Sequence, residues 1–342
     1  MNAAERWNKY DEPLPATARG LDNYLLKLLC LLRASDYHFM TPTPLTHQRF
    51  IRQSVIYGRR SLRDIFGWNL GFQWSGELQP FLAVMARADV LLGNGTLRSA
   101  VRVASLDDDL FLHSSYPTND DSAIFFGPDT YRFVRFLQQW GAVFSLPDVT
   151  CLKQKPKRVL DVGCGSGAGG IAAVRMLAAK GQETLLTLSD INPRALQFAS
   201  VNAEFARLPA TTVLSDGFEH LGGEFDLIIT NPPYMEDEQE RLYRHGGAQL
   251  GRTLSVRLAT EALAHLAPGG SLVLYTGVAI VDGIDGFLAD LQQPLQQSGC
   301  TWSYTEVDPD VFGEELERPA YRRAERIAAV GLIVTRPQQS RS

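Results

Sequence analysis

Four short apolar runs between residues 158 and 234 each break off at a polar group. Val159-Leu160 runs into Asp161-Val162-Gly163, Thr184–Ser189 stops at Asp190, and Thr212–Ser215 precedes Asp216-Gly217-Phe218. The fourth run, Phe225–Ile229, ends in Thr230-Asn231-Pro232-Pro233-Tyr234. Strand-length runs that alternate with helical patterns predict a parallel sheet covered on both faces. Open sheets of that kind bind ligands outside the carboxyl ends of their strands. Asp161, Asp190, Asp216 and Asn231 therefore share the edge where chemistry is expected.

Each strand end has its own logic. Gly163, Gly165 and Gly167 follow the first strand and open a helix expected over residues 168–179. Glycines there let backbone N–H groups approach a ligand at a helix N-terminus, and Asp161 stands where an ammonium group or ordered water would sit. Asp190 lies 23 residues past Gly167 at a strand end, placed to take two ribose hydroxyls. Asp216 can accept from an adenine amine, with Phe218 or the backbone beside the ring. In Asn231-Pro232-Pro233-Tyr234 the prolines fix φ and remove two donors, leaving carbonyl oxygens as rigid acceptors. Asn231 adds a side-chain oxygen and Tyr234 a flat face, a combination suited to an NH₂ group whose nitrogen is aimed elsewhere.

The rest of the chain bounds the reading. Trp7 and Tyr10 lie in an extended arm before Pro13 and Pro15, and helices are expected from Leu21 to Leu32, Leu45 to about Tyr57, within Ser61–Gly67 and over residues 78–92. A hairpin of Leu97–Ala104 with Leu110–Ser114 follows, tipped by Asp107-Asp108-Asp109, so this region resembles a winged-helix arrangement. Asp129 or Thr130 is expected to cap a helix running to about Trp140. Later elements are a helix from about Ser255, a turn at Ala267–Gly270, a strand at Ser271–Thr276, a helix near Gly283–Gln297, and a closing pair, Trp302–Val307 with Arg326–Val334. His245, beside two glycines, is read as a loop anchor rather than a base.

Of 342 residues, 1–150 carry 15 basic and 15 acidic side chains and the remainder 18 and 23, giving the net charge of −5. A chain gripping a nucleic-acid backbone usually needs a positive surface, so an RNA partner is disfavoured. No apolar run approaches the ~18 residues of a membrane span, and the charged N-terminus predicts a cytoplasmic protein. Four scattered cysteines indicate neither a disulfide framework nor a metal site.

These motifs together resemble the class I S-adenosylmethionine-dependent methyltransferases, in the subgroup whose acceptor motif is Asn-Pro-Pro-Tyr and whose members methylate amino nitrogens. The resemblance covers about residues 123–335. It implies an α/β, Rossmann-like domain with a seven-stranded sheet over 123–342, behind a mainly helical substrate or lid domain over 1–122. It also implies S-adenosylmethionine as cofactor. Asp161, Gly163, Gly165 and Gly167 would cradle its methionine part, Asp190 with Ile191 the ribose side, and Asp216 with Gly217 the adenine. Asn231, Pro232 and Tyr234 would hold the acceptor nitrogen of a small-molecule or amino-bearing substrate. The chain also resembles the azetidine-2-carboxylate synthases of this fold, in which the cofactor's own α-amine attacks its γ-carbon. In that case Trp7, Tyr10 and Phe133 are candidate lid aromatics. A cofactor-binding regulator without catalysis is the third expectation.

Overall fold

The computed structural model describes residues 20–53, 60–93, 95–118, 120–143, 155–237 and 239–338. Two compact units emerge. One comprises Met1–Asn119, Phe125–Pro128 and Val201–Leu208; the other comprises Asp120–Ile124, Asp129–Ser200 and Pro209–Ser342. The division expected between 122 and 123 falls inside Asp120–Ile124, a segment of the second unit. Trp7 and Tyr10 lie outside the described residues.

In the first unit, leucines three and four residues apart make helix α1 (Leu21–Ala34) amphipathic, and Leu25, Leu28, Leu29 and Leu32 are buried. Pro44 opens α2 (Pro44–Gln53), where a missing N–H costs nothing. Beyond Gln53 the expected continuation to Tyr57 is outside the described residues. Helix α3 (Gln79–Arg87) ends early, because Leu91–Leu92 forms a short strand, β1, against β2 (Arg98–Ser99). The hairpin pairs β3 (Val101–Leu106) with β4 (Asp109–Ser114); its first strand is later and shorter than expected, and its second begins one residue earlier. All twelve of its positions are buried, so it packs inside the unit rather than standing out from it. Only Asp107 and Asp108 form its tip. Asp109, expected in solvent with them, is buried and pairs with Arg33 at 3.4 Å.

The second unit is built on one sheet. Its strands are β5 (Lys157–Val162), β6 (Thr184–Asp190), β7 (Ala210–Leu214), β8 (Phe225–Thr230), β9 (Leu266–Val281), β11 (Thr301–Asp308) and β12 (Ala324–Thr335). They lie in the order β11-β12-β9-β8-β5-β6-β7, with the two-residue β10 (Ile284–Asp285) attached to β9. The five strands from β7 to β9 are parallel, and β12 and β11 close the sheet antiparallel. Helices α4 (Pro128–Val143), α5 (Ala168–Ala178), α6 (Pro193–Phe205), α7 (Thr253–Ala264) and α8 (Gly286–Gln297) accompany it. One apolar core contains Leu160, Ile228, Leu272 and Leu332 of the strands with Leu258 of α7 and Phe287 and Leu291 of α8.

The expected seven-stranded sheet is thus present, and the largest departure is β9. Ala267-Pro268-Gly269-Gly270 was expected as a turn, yet it lies within this 16-residue strand. Hydrogen bonds to Arg336, N–H to carbonyl in both directions at 3.0 Å, keep Gly269 and Gly270 laddered, and the pairing with β8 absorbs the irregularity as a register shift after Phe225. Among the described residues no helix is long and apolar enough to cross a membrane.

Candidate functional site

Strand order decides where the site lies. From β5 the chain moves outward through β6 and β7, then returns to place β8 on the other side of β5. The loops leaving β5 and β8 therefore diverge at a topological switch point, where a crevice opens at the carboxyl edge. Thr230, buried at the end of β8, donates to the Val162 carbonyl at 2.8 Å and ties the two loop bases together.

On the β5 side the backbone does the shaping. Gly163, Gly165 and Gly167 all have positive φ, 67°, 53° and 77°, a conformation that side chains disfavour. A Cβ on Gly163 would meet nothing within 4 Å, so its left-handed turn leaves open space beside the loop. Asp190 fastens this loop from β6, accepting from the Gly165 N–H through Oδ2 and from the Asn192 N–H through Oδ1, both at 2.9 Å. Each oxygen keeps a lone pair for a further donor. Ile191 follows with 49% of its surface exposed, an apolar face beside the acid.

Asp161 is 2% exposed, and its Oδ2 accepts from the Gly170 N–H at 2.7 Å. Burial pushes its carboxyl up to about 7, and the Asp190 charge adds to the rise. Burial raises Asp190 as well. Asp161, buried, and Asp190, half-buried, thus flank the glycine cradle as two acids held by backbone N–H groups with no basic partner among the bonds they make. A ligand bringing positive charge and hydroxyls, as S-adenosylmethionine does, fits that donor set.

The third strand end behaves differently. Asp216 is half-exposed and bound to Arg257 of α7, which occupies part of its acceptor capacity. Gly217 has φ 53°, and a Cβ there would come within 2.8 Å of the Glu261 carboxylate. Phe218 is buried in the core and stacks on His265 at 4.7 Å, so it is not a free face for a purine.

At the end of β8, Asn231 Oδ1 is buried without a hydrogen-bond partner. The Pro232 carbonyl accepts no hydrogen bond among the described residues. Tyr234 is only 7% exposed. Its ring lies on β9, where a Cβ at Gly277 would be 2.3 Å from it, and Phe312 meets it edge-on at 6.0 Å. Phe312 holds φ 55°, an uncommon conformation for an aromatic residue. Burial drives the Tyr234 hydroxyl well above its ordinary range.

The chain after Tyr234 folds back over it. Met235 bridges His245, and His245 Nδ1 accepts from the Asp237 N–H at 3.3 Å, in keeping with an anchoring role. A Cβ on Gly246 would lie 1.9 Å from the Gly251 carbonyl and 2.6 Å from that of Pro233. Asp237 and Glu315, both buried, gather Arg241, Arg244 and Arg318 and clamp this loop to the segment before β12. The Arg241 hydrogen bonds hold Asp237 down to about 2.

Two further side chains belong to this end of the site. Asp129 was expected as a helix cap, but α4 already begins at Pro128, and its carboxyl group turns inward to accept from the Tyr275 hydroxyl at 2.7 Å. Nothing in Pro-Asp-Thr distinguishes such a residue from a cap. Phe133, one turn on, is 4% exposed; its ring lies where a Cβ on Gly169 would be 2.6 Å away, and 6.1 Å from Tyr275. It forms a packed wall beside Asp161 and Gly169.

Residues 148–278 match the model of the methyltransferase small domain. A release factor glutamine methyltransferase of Koribacter versatilis is 35% identical over 170 residues, 45% of this chain and 55% of that protein. A ribosomal RNA small subunit methyltransferase C of Serratia proteamaculans is 34% identical over 120 residues, 35% of this chain and 30% of that protein. A putative protein N5-glutamine methyltransferase of Methanocaldococcus jannaschii is 36% identical over 122 residues, 34% of this chain and 59% of that protein. The chain thus spans about half the length, or less, of these curated relatives. Among solved structures, the T. thermophilus 16S rRNA N2 G1207 methyltransferase in complex with AdoMet and guanosine aligns with a TM-score of 0.43 at 16% identity, over 76% of this chain and 62% of that one. The sheet order and the matched segment identify residues 148–278, with the strands that complete their sheet, as a class I S-adenosylmethionine-dependent methyltransferase fold, with S-adenosylmethionine as its cofactor.

Proposed function

We propose that the protein transfers the methyl group of S-adenosylmethionine to an amino nitrogen seated between Asn231 Oδ1 and the Pro232 carbonyl. The observation that carries this reading is the buried, unpartnered Asn231 oxygen at the switch point. Leaving such an acceptor unsatisfied costs about 1–3 kcal/mol. An incoming N–H₂ group removes that cost and is thereby oriented.

The cofactor's sulfonium supplies an electrophilic methyl group, so the protein's task is placement. Asn231 and Pro232 take the two N–H bonds of the acceptor and leave its lone pair free to point at the methyl carbon. Their fixed dipoles also favour the partial positive charge that grows on the nitrogen. A neutral amine or amide nitrogen held in this way does not require a strong base. Tyr234 supports the notch with its packed ring, while the partly exposed Phe312 is the nearer candidate for an aromatic wall.

The acceptor class remains within amino nitrogens, and relatives named for protein glutamine and for ribosomal RNA define the two probes. The acidic balance of residues 151–342 favours an acceptor that is not a long polyanion. The test is S-adenosylhomocysteine formation with a glutamine-containing peptide and, separately, with a guanosine-bearing ribosomal RNA fragment. Turnover with either supports the proposal. Release of methylthioadenosine from S-adenosylmethionine alone would replace methyl transfer by intramolecular ring closure, and binding without turnover in all three mixtures would sink the catalytic reading.

A further inference from the structure

We infer that the first unit holds a small oxyanion between Arg102 and His113. Every residue of this site belongs to that unit, so the inference stands apart from the methyl-transfer reading, whose residues belong to the other.

The hairpin explains how a guanidinium comes to be buried. Arg102 on β3 and His113 on β4 are directly opposed in the antiparallel ladder, so their side chains leave the same face as neighbours. That face is internal: Arg102 is 3% exposed and His113 0%. A charge taken out of water needs a partner of opposite sign, and among the described residues Arg102 forms no ion pair. Its Nε donates to the Ser114 carbonyl at 2.9 Å and a terminal nitrogen to the Thr118 hydroxyl at 3.5 Å, both neutral acceptors. A guanidinium carries five N–H groups, so three remain for a further acceptor. Burial lowers Arg102 to about 10, which leaves it charged at neutral pH.

His113 offers a second donor at the same place. Its ring stacks on Phe126 with centroids 5.5 Å apart, and neither ring nitrogen has a hydrogen-bond partner. The Ser114 carbonyl near the ring is the one that Arg102 Nε already engages. His47 of α2, also 0% exposed, directs Nε2 at the Trp68 carbonyl at 2.9 Å and stacks on Tyr116 at 4.1 Å, the ring over which the Arg102 guanidinium lies at 5.9 Å. Burial lowers both imidazoles, His47 to about 4, and the Arg102 charge lowers each further. Both rings are therefore neutral near pH 7, and the single N–H of His47 is engaged by Trp68. The site thus combines one positive charge with N–H groups of Arg102 and His113. Its complement is a singly charged oxyanion of a few atoms, for which a carboxylate's two oxygens suit the planar guanidinium.

The test uses the full-length protein dialysed into chloride, with formate and inorganic phosphate titrated separately at matched ionic strength. Long-range ¹H–¹⁵N spectra follow the imidazoles, and the His113 ring is identified as the signal lost in His113→Phe. Formate should move the His113 ring nitrogens along a saturable curve, with binding heat on the same curve. His113→Phe keeps a flat ring against Phe126 and should weaken that binding at least about tenfold, as expected for loss of a hydrogen bond to a charged group. Arg102→Met removes the charge and should abolish it. If Arg102→Met fails to fold, the unsubstituted protein and His113→Phe still decide the matter. Tighter binding of phosphate than of formate would support the site and make a phosphoryl group its source. No saturable shift with either anion would overturn the inference and leave water as the partner of these groups. Affinity untouched by His113→Phe would overturn it too.

Discussion

The two sides of the switch-point crevice are built on different principles. On the β5–β6 side, backbone geometry is fixed and the polar groups are interlocked: Asp190 binds two N–H groups of the loop region and Asp161 binds Gly170. On the β8 side, the side chains are buried but incompletely paired, with Asn231 Oδ1 orphaned and Tyr234 wedged against Gly277. A satisfied frame suits a ligand of constant shape, such as a cofactor. An unsatisfied one suits a group that arrives, reacts and leaves. The contrast is a thermodynamic division of labour, since missing bonds destabilise the protein alone and are recovered only with substrate.

The comparison can be broken most directly at Asp190. Asp190→Ala removes both the acceptor proposed for the ligand and the fastening of Gly165. Calorimetry should show S-adenosylmethionine binding weakened about 30- to 100-fold, equivalent to the ~2–3 kcal/mol of hydrogen bonds to a charged group. Undiminished affinity would discredit the interlocked frame. Next comes Asn231→Ala, for which turnover should drop at least about tenfold, ~1.4 kcal/mol in the barrier, while cofactor affinity is nearly retained. Equal losses in binding and turnover would erase the distinction between the two sides.

Gly277→Ala tests the packed side by shape alone. The new methyl would sit 2.3 Å from the Tyr234 ring, so thermal melting should report a loss of about 1–3 kcal/mol, the usual cost of overpacking. The smallest effect concerns protons. Because Asp161 is raised to about 7, the folded apoprotein retains a proton that the unfolded chain releases near the ordinary carboxyl value of about 4. The associated stability is complete at low pH and is lost as pH climbs to about 7. The melting temperature should therefore decline across that window, less so in Asp161→Asn. Binding of the cationic cofactor at pH near 6.5 should release protons, detectable as a dependence of binding heat on the buffer's ionisation enthalpy.

The cofactor side was more legible in sequence than the acceptor side. Asp161, the three glycines and Asp190 announce themselves because strand ends and left-handed turns demand particular residues at particular spacings. The parallel sheet and its closing strand pair followed from the same local patterns, whereas the order of the strands came only from the structure. Asp129 and Tyr275 gave no such signal, since a first-turn acid and a strand tyrosine look alike whether they face solvent or each other. Long-range pairing also explains the other departures. Asp109 is drawn out of its turn by Arg33, and Asp216 is engaged by an arginine 41 residues away. In β9, pairing beyond the end of β12 kept a Pro-Gly-Gly stretch in the sheet against its local preference for a turn.

The bond from Thr230 to the Val162 carbonyl has a kinetic corollary. It stitches the roots of the glycine loop and the Asn-Pro-Pro-Tyr loop into one seam, so that under the proposed function the aim of one loop at the other is inherited from the sheet and need not be found anew in each turnover. Thr230→Val, which keeps the bulk and cuts the stitch, would convert that inherited alignment into a search.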